Sequence, residues 1–296
     1  MKFLISNLLV ALCVTIPSTA AFAPQPLKPK KTDNAGSDTS LYMSDAWWDQ
    51  GASVYSKPSG AQPQFGEIQR APGAPDRLVP AEAWRNFSPQ GKRRVEGQSR
   101  YTYDFRDTTQ TDVQLAVTSS TGRPVKTSVD LWVGPDWTPY TMKAYTEDGE
   151  KRPIQCILGT RGKVAQIEVR NIAEYEFALD AEAVYAQGPI ANLRSEIPKS
   201  TQGIYIEGGS VKQVPVAGDI GAVSVLLNTD SRQLNAQIEL ITGPNNPKQV
   251  FEVFTNNGLL NALLVTFECP PMHGTTIRIT NQATMEFPCH AYVTAG

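Results

Sequence analysis

Apolar and polar residues alternate with period two along residues 125–133, where Val125, Thr127, Val129, Leu131 and Val133 share one face of a predicted strand. The same alternation begins at Val113-Gln114-Leu115-Ala116-Val117, and residues 154–158, 164–171 and 179–185 supply later strands. Six or seven short strands in about ninety residues predict a compact antiparallel sandwich. The central strand runs into a Gly-Pro turn, and the chain repeats it. Val129-Asp130-Leu131-Trp132-Val133-Gly134-Pro135 returns as Ile238-Glu239-Leu240-Ile241-Thr242-Gly243-Pro244.

The echo extends through a whole module. Val95-Glu96-Gly97-Gln98-Ser99 matches Ile206-Glu207-Gly208-Gly209-Ser210, and Ile167-Glu168-Val169-Arg170-Asn171 matches Ile277-Arg278-Ile279-Thr280-Asn281. Glu176-Phe177 lies over Glu286-Phe287. Asp148-Gly149 falls on Asn257-Gly258, and both pairs predict a two-residue hairpin turn with positive φ. Ordered agreement of this kind marks a tandem duplication. The expected fold is all-β: two tandem pseudo-symmetric antiparallel β-sandwich-like domains, residues 91–190 and 204–296, with an irregular N-terminal head. Between them lies a connector, 188–203, with a helical turn at 191–195.

The N-terminal part is layered. Residues 1–21 have a basic start at Lys2, a short apolar run and small residues at Thr19-Ala20-Ala21, the pattern of a cleavable signal peptide. The run is too short for a comfortable membrane span. Residues 22–43 begin Phe22-Ala23-Pro24 and continue rich in Lys, Ser, Thr and Pro, the composition of a plastid transit segment. Residues 44–90 are a head without a counterpart in the second module, carrying the adjacent pair Trp47-Trp48.

Composition narrows the chemistry. Lys and Arg number 27 against 29 Asp and Glu, which argues against a nucleic-acid binder. Gly and Pro, 22 each, suit short strands and tight turns. Outside the signal, Cys156, Cys269 and Cys289 have no metal-ligand spacing; they read as buried thiols, with Cys269 and Cys289 the only pairing to check. The two histidines, His273 and His290, lack an orienting partner nearby, and no phosphate loop, nucleophile elbow or metal motif occurs. The basic cluster Gly91-Lys92-Arg93-Arg94 reads as a solvated linker. No catalytic residue, cofactor or metal site is assigned.

The polar strand faces are more informative. Trp132 lies among Lys126, Ser128 and Asp130, and the second copy places Ile241 at the matching position. On the next strand Tyr145 accompanies Lys143, and Phe254 accompanies Glu252. Large apolar residues among charges need cover, from the same chain or from another. Trp47 and Trp48 read as an anchor for a groove, so the candidate self-assembly residues are Trp47, Trp48, Trp132, Tyr145, Ile241 and Phe254. A doubled module shows nearly one patch on two sides, and contacts that do not close grow without limit. Two other readings stay open: a carbohydrate- or ligand-binding sandwich with Trp132 and Tyr145 as a stacking platform, and an enzyme with a site between the repeats.

A plastid-type presequence, a Trp-Trp head and tandem β-modules carrying Leu131-Trp132-Val133-Gly134-Pro135 and Leu240-Ile241-Thr242-Gly243-Pro244 together resemble the diatom pyrenoid shell proteins. The likeness covers about residues 44–296. It implies a non-enzymatic protein of the plastid stroma that polymerises with itself into a casing around the Rubisco-filled pyrenoid and helps concentrate carbon dioxide. Paralogues and the Rubisco condensate are further implied partners. It carries no active-site residues over to this chain.

Overall fold

Each module folds into eight strands. The first contains β1 (Arg93–Val95), β2 (Arg100–Phe105), β3 (Asp112–Thr118), β4 (Val125–Val133), β5 (Tyr140–Thr146), β6 (Ile154–Gly159), β7 (Ala165–Asn171) and β8 (Leu179–Tyr185). The second contains β9 (Ile204–Ile206), β10 (Val211–Val216), β11 (Ala222–Asn228), β12 (Leu234–Thr242), β13 (Pro247–Thr255), β14 (Leu263–Glu268), β15 (Thr275–Asn281) and β16 (Cys289–Ala295). The extra strands relative to the sequence reading include β1 and β9, whose three residues are too short to show a period. The structure is a computed structural model that describes residues 66–69, 79–84, 91–134, 137–269 and 274–295. The predicted signal and transit segments, Trp47, Trp48 and His273 lie outside the described residues.

The strands form two antiparallel eight-stranded sheets, and both sheets run through both modules. Sheet I has the order β1-β8-β3-β6-β14-β11-β16-β9; sheet II has the order β10-β15-β12-β13-β5-β4-β7-β2. Each order is unchanged when every strand is exchanged for its repeat counterpart and the sheet is read backwards. A pseudo-two-fold axis therefore passes between β6 and β14 in one sheet and between β5 and β13 in the other. At these seams Cys156 faces Val265, and Lys143 faces Glu252. Residues 60–296 form one compact unit, with a single apolar core contributed by both modules. Phe251 of sheet II meets Phe267 of sheet I edge-to-face near the seam, with ring centroids 5.2 Å apart.

The recurring motifs meet in space at a buried asparagine. Asn171 Nδ2 donates to the carbonyls of Val95 (3.0 Å) and Phe177 (2.7 Å), while its Oδ1 accepts from the Ala173 N–H (3.0 Å). Asn281 does the same with Ile206 (3.2 Å), Phe287 (2.9 Å) and Ala283 (3.1 Å). Three separate repeated stretches are thus one hydrogen-bonded corner. A side chain at Gly97 or Gly208 would collide with the carbonyl of Glu174 or Thr284, so glycine is required in both copies.

The hairpin expectation for Asp148-Gly149 and Asn257-Gly258 is corrected. The strands on either side, β5 and β6, or β13 and β14, belong to opposite sheets. The connection is instead a helical turn capped by a side chain: Asp148 Oδ1 accepts from the N–H groups of Glu150 and Lys151, and Asn257 Oδ1 from those of Leu259 and Leu260, at 3.0–3.1 Å. Neither glycine has positive φ. What Gly149 supplies is room, since a Cβ there would lie 2.5 Å from Val125 Cγ2. Turn residues alone do not tell a hairpin from a sheet-to-sheet crossing.

Candidate assembly surface

The two outer faces of the sandwich differ. On sheet I, Ile157, Leu226 and Leu264 of the central strands point outward and are buried by the chain itself. The cover is the connector, with a 3-10 turn at Gly188–Ile190 and helix α1 (Leu193–Ser200), joined by a second 3-10 turn at Ala81–Trp84. Leu193 and Ile197, four residues apart, put one helical stripe on the sheet. Arg194 ties the helix down by donating to Asp112 Oδ1 at 2.7 Å and to the Leu260 carbonyl at 3.0 Å. Trp84 is 1 % exposed beneath this layer.

Sheet II carries no such layer among the described residues. Trp132 keeps 36 % of its surface exposed, and Trp137, in the loop after β4, keeps 37 %. Trp137 is held by the Val133 N–H donating to its carbonyl at 2.9 Å, and the Arg161 guanidinium sits 4.7 Å from its ring centroid. Arg161 also bonds Asn261 of the second module. The loop tryptophan is therefore braced across the seam.

Between the apolar residues runs a polar ladder. In the first module Asp130 faces Glu168, and Glu168 is bridged by Arg100 at 3.3 Å and by Arg170. At the same positions of the second module Glu239 faces Arg278, and the two form an ion pair. Burial pushes the Asp130 carboxyl above its usual range; the nearby Glu168 charge acts in the same direction, while a Thr141 hydrogen bond opposes it. Of these acids Glu239 is 2 % and Glu168 8 % exposed, so the ladder is largely withdrawn from solvent.

The structure places the remaining candidates unevenly. Tyr145 and Phe254 are half-buried on sheet II, flanking the Lys143–Glu252 seam. Ile241 lies on the same outer face, paired with Thr276, but is only 5 % exposed, so of the equivalent pair only Trp132 is open to solvent. Trp132 and Tyr145 do not come together: Tyr145 faces Lys126, which is six residues along β4 from Trp132, about 20 Å at the usual strand rise. They do not make one stacking platform. Phe254 lies closer to Trp132, because Thr141 links it in register to Asp130. Trp137 was missed by strand-face reasoning because it sits in a loop; its place two residues after the repeated Gly-Pro turn was the available signal.

Elsewhere the described residues offer little reactive chemistry. Cys156, Cys269 and Cys289 are buried free thiols, and burial pushes Cys289 up to about 12. His290 packs edge-on against Tyr205 with ring centroids 5.5 Å apart. No three His, Cys, Asp or Glu side chains among the described residues gather as a metal site. A cavity of about 180 Å³ beside Trp84 is lined by Lys92, Glu150, Asp180 and Glu182.

Fold and surface together define a duplicated all-β sandwich with one face covered by its connector and the other exposing Trp132. A family model, the diatom pyrenoid shell protein, matches residues 87–295. The chain belongs to that family, which gives it a structural role at the pyrenoid. A search of curated proteins finds no match to it.

Proposed function

We propose that the chain associates laterally with copies of itself into a sheet or shell enclosing the Rubisco-containing pyrenoid of the plastid, and that this casing supports carbon dioxide concentration and fixation. It acts as a building block and not as an enzyme. The observation that carries this reading is the contrast between the two sheets. The connector buries the apolar centre of sheet I, while Trp132 on sheet II and Trp137 in the loop after β4 stay more than a third exposed. A large aromatic side chain left in water is a contact waiting for a partner. In a chain with two pseudo-equivalent modules that partner is most simply another copy. The presequence pattern of residues 1–43 supplies delivery to the plastid, with Trp47-Trp48 as a second anchor and paralogues or the Rubisco condensate as further neighbours.

Two measurements test it. A fluorescent fusion of the full chain should form a closed rim around the pyrenoid; diffuse stromal signal or export would sink the localisation. Purified chain should form sheets or tubes by negative-stain microscopy at micromolar concentration. A monomer at every salt and concentration would overturn self-assembly.

A further inference from the structure

Four strands end the two sheets, and three of them are guarded. β1 and β9 close sheet I with only three residues each. β10 closes sheet II with Lys212 and Pro215 in its sequence. Ile68 also bridges it in parallel, its N–H donating to the Pro215 carbonyl at 2.9 Å and its carbonyl accepting from Ala217 at 3.0 Å. The fourth edge, β2, is the repeat counterpart of β10. Its sequence is Arg-Tyr-Thr-Tyr-Asp-Phe, without proline, and no described residue bridges its outer side.

The phase of its hydrogen bonding is set by the neighbouring strand. Asn171 N–H donates to the Ser99 carbonyl at 2.9 Å, so Ser99, Tyr101, Tyr103 and Phe105 turn their backbone groups toward β7. Arg100, Thr102 and Asp104 turn theirs outward. The second module follows the same phase, with Pro215 and Ala217 pointing out to where Ile68 binds them. The duplication thus made two edges of the same kind, and this chain's own head bridges one of them.

We propose that β2 pairs antiparallel with β2 of a second copy across a two-fold axis at Thr102, continuing sheet II from one chain into the next. This rests on the self-assembly reading and names one of its contacts. The charges select the register. With the axis at Thr102, Arg100 faces Asp104 of the second copy and Asp104 faces its Arg100, while the outward backbone groups of three residues per chain exchange about six hydrogen bonds. On the other face Tyr101, 36 % exposed, meets Tyr103 of the second copy. An axis at Tyr103 would set Arg100 against Arg106 and lose both ion pairs. The Arg100 side chain is 65 % exposed and is held only by Glu168 at 3.3 Å, so it is free to turn. Such a contact closes on itself, so extended growth needs a second one, which the Trp132 face supplies.

The test is Thr102→Cys in the full chain under mild oxidation. Paired residues at this position lie about 5.5 Å apart at Cα, within disulfide range. Native Cys156, Cys269 and Cys289 are buried and give little background, and Cys13 is replaced by Ser in every chain compared. The expected result is a covalent dimer at least about tenfold more abundant than in the native chain or in Gln213→Cys, the counterpart on β10. Adding Arg100→Asp should abolish the cross-link, and adding Asp104→Arg as well should restore it. A Thr102→Cys chain that assembles but does not cross-link overturns the proposal and leaves the shell reading standing; so does cross-linking only to Gln213→Cys chains. A cross-linked dimer that never grows further supports the edge contact and overturns the shell.

Discussion

Lys143 and Glu252 face each other across the seam of sheet II, and each is the other's counterpart in the repeat. A symmetric dimer of single modules would have placed like charges there. Fusion of the two copies allowed the position to become complementary. Lys143→Glu is therefore expected to cost about 0.5–1 kcal/mol by setting two acids directly opposite. Lys143→Glu with Glu252→Lys should recover it in urea melts, and failure to recover would mean the seam is indifferent to charge.

The two buried asparagines predict equal penalties. Asn171→Ala and Asn281→Ala each strand two carbonyls and one N–H, and should each lower stability by about 2–3 kcal/mol. Equal shifts in denaturation midpoint would show that the corner does the same work in both modules.

Tryptophans on the two sheets should behave oppositely. Trp84→Ala removes cover from the centre of sheet I and should cost about 3–5 kcal/mol in a thermal or urea melt. Trp132→Ala should leave the melt nearly unchanged and raise the concentration needed for assembly by about tenfold or more. Trp47→Ala with Trp48→Ala should also weaken assembly while β-type circular dichroism persists.

Asp130 makes stability depend on pH in a defined direction. Its folded pKa is raised, mainly by burial, so the folded state holds the proton more tightly than the unfolded chain. Its ionisation costs stability as pH rises through the folded value, and the cost vanishes well below the ordinary value of 3.8. Asp130→Asn, which keeps an acceptor for Thr141, should raise the melting temperature at pH 7, with the gain fading as pH falls toward 3.8. An unchanged or widening gain would overturn this account.

Period-two alternation at Val125–Val133 and the repeated Gly-Pro strand were enough to establish, from sequence, an all-β fold built twice, because side-chain alternation and turn geometry are local properties of the backbone. The recurrence of Asn171 and Asn281 was equally visible, but not its reason, which lies in carbonyls 75 or so residues away. Only the tertiary structure decided that the modules share both sheets and that Asp148-Gly149 crosses between sheets. It also decided that Trp84 is buried, Trp132 open, and Ile241 hidden although it matches Trp132. Which part of the chain covers a face depends on long-range packing: the apolar pairs Ile157-Leu158, Leu226-Leu227 and Leu263-Leu264 break the alternation in the strands that the connector buries, but do not say what covers them.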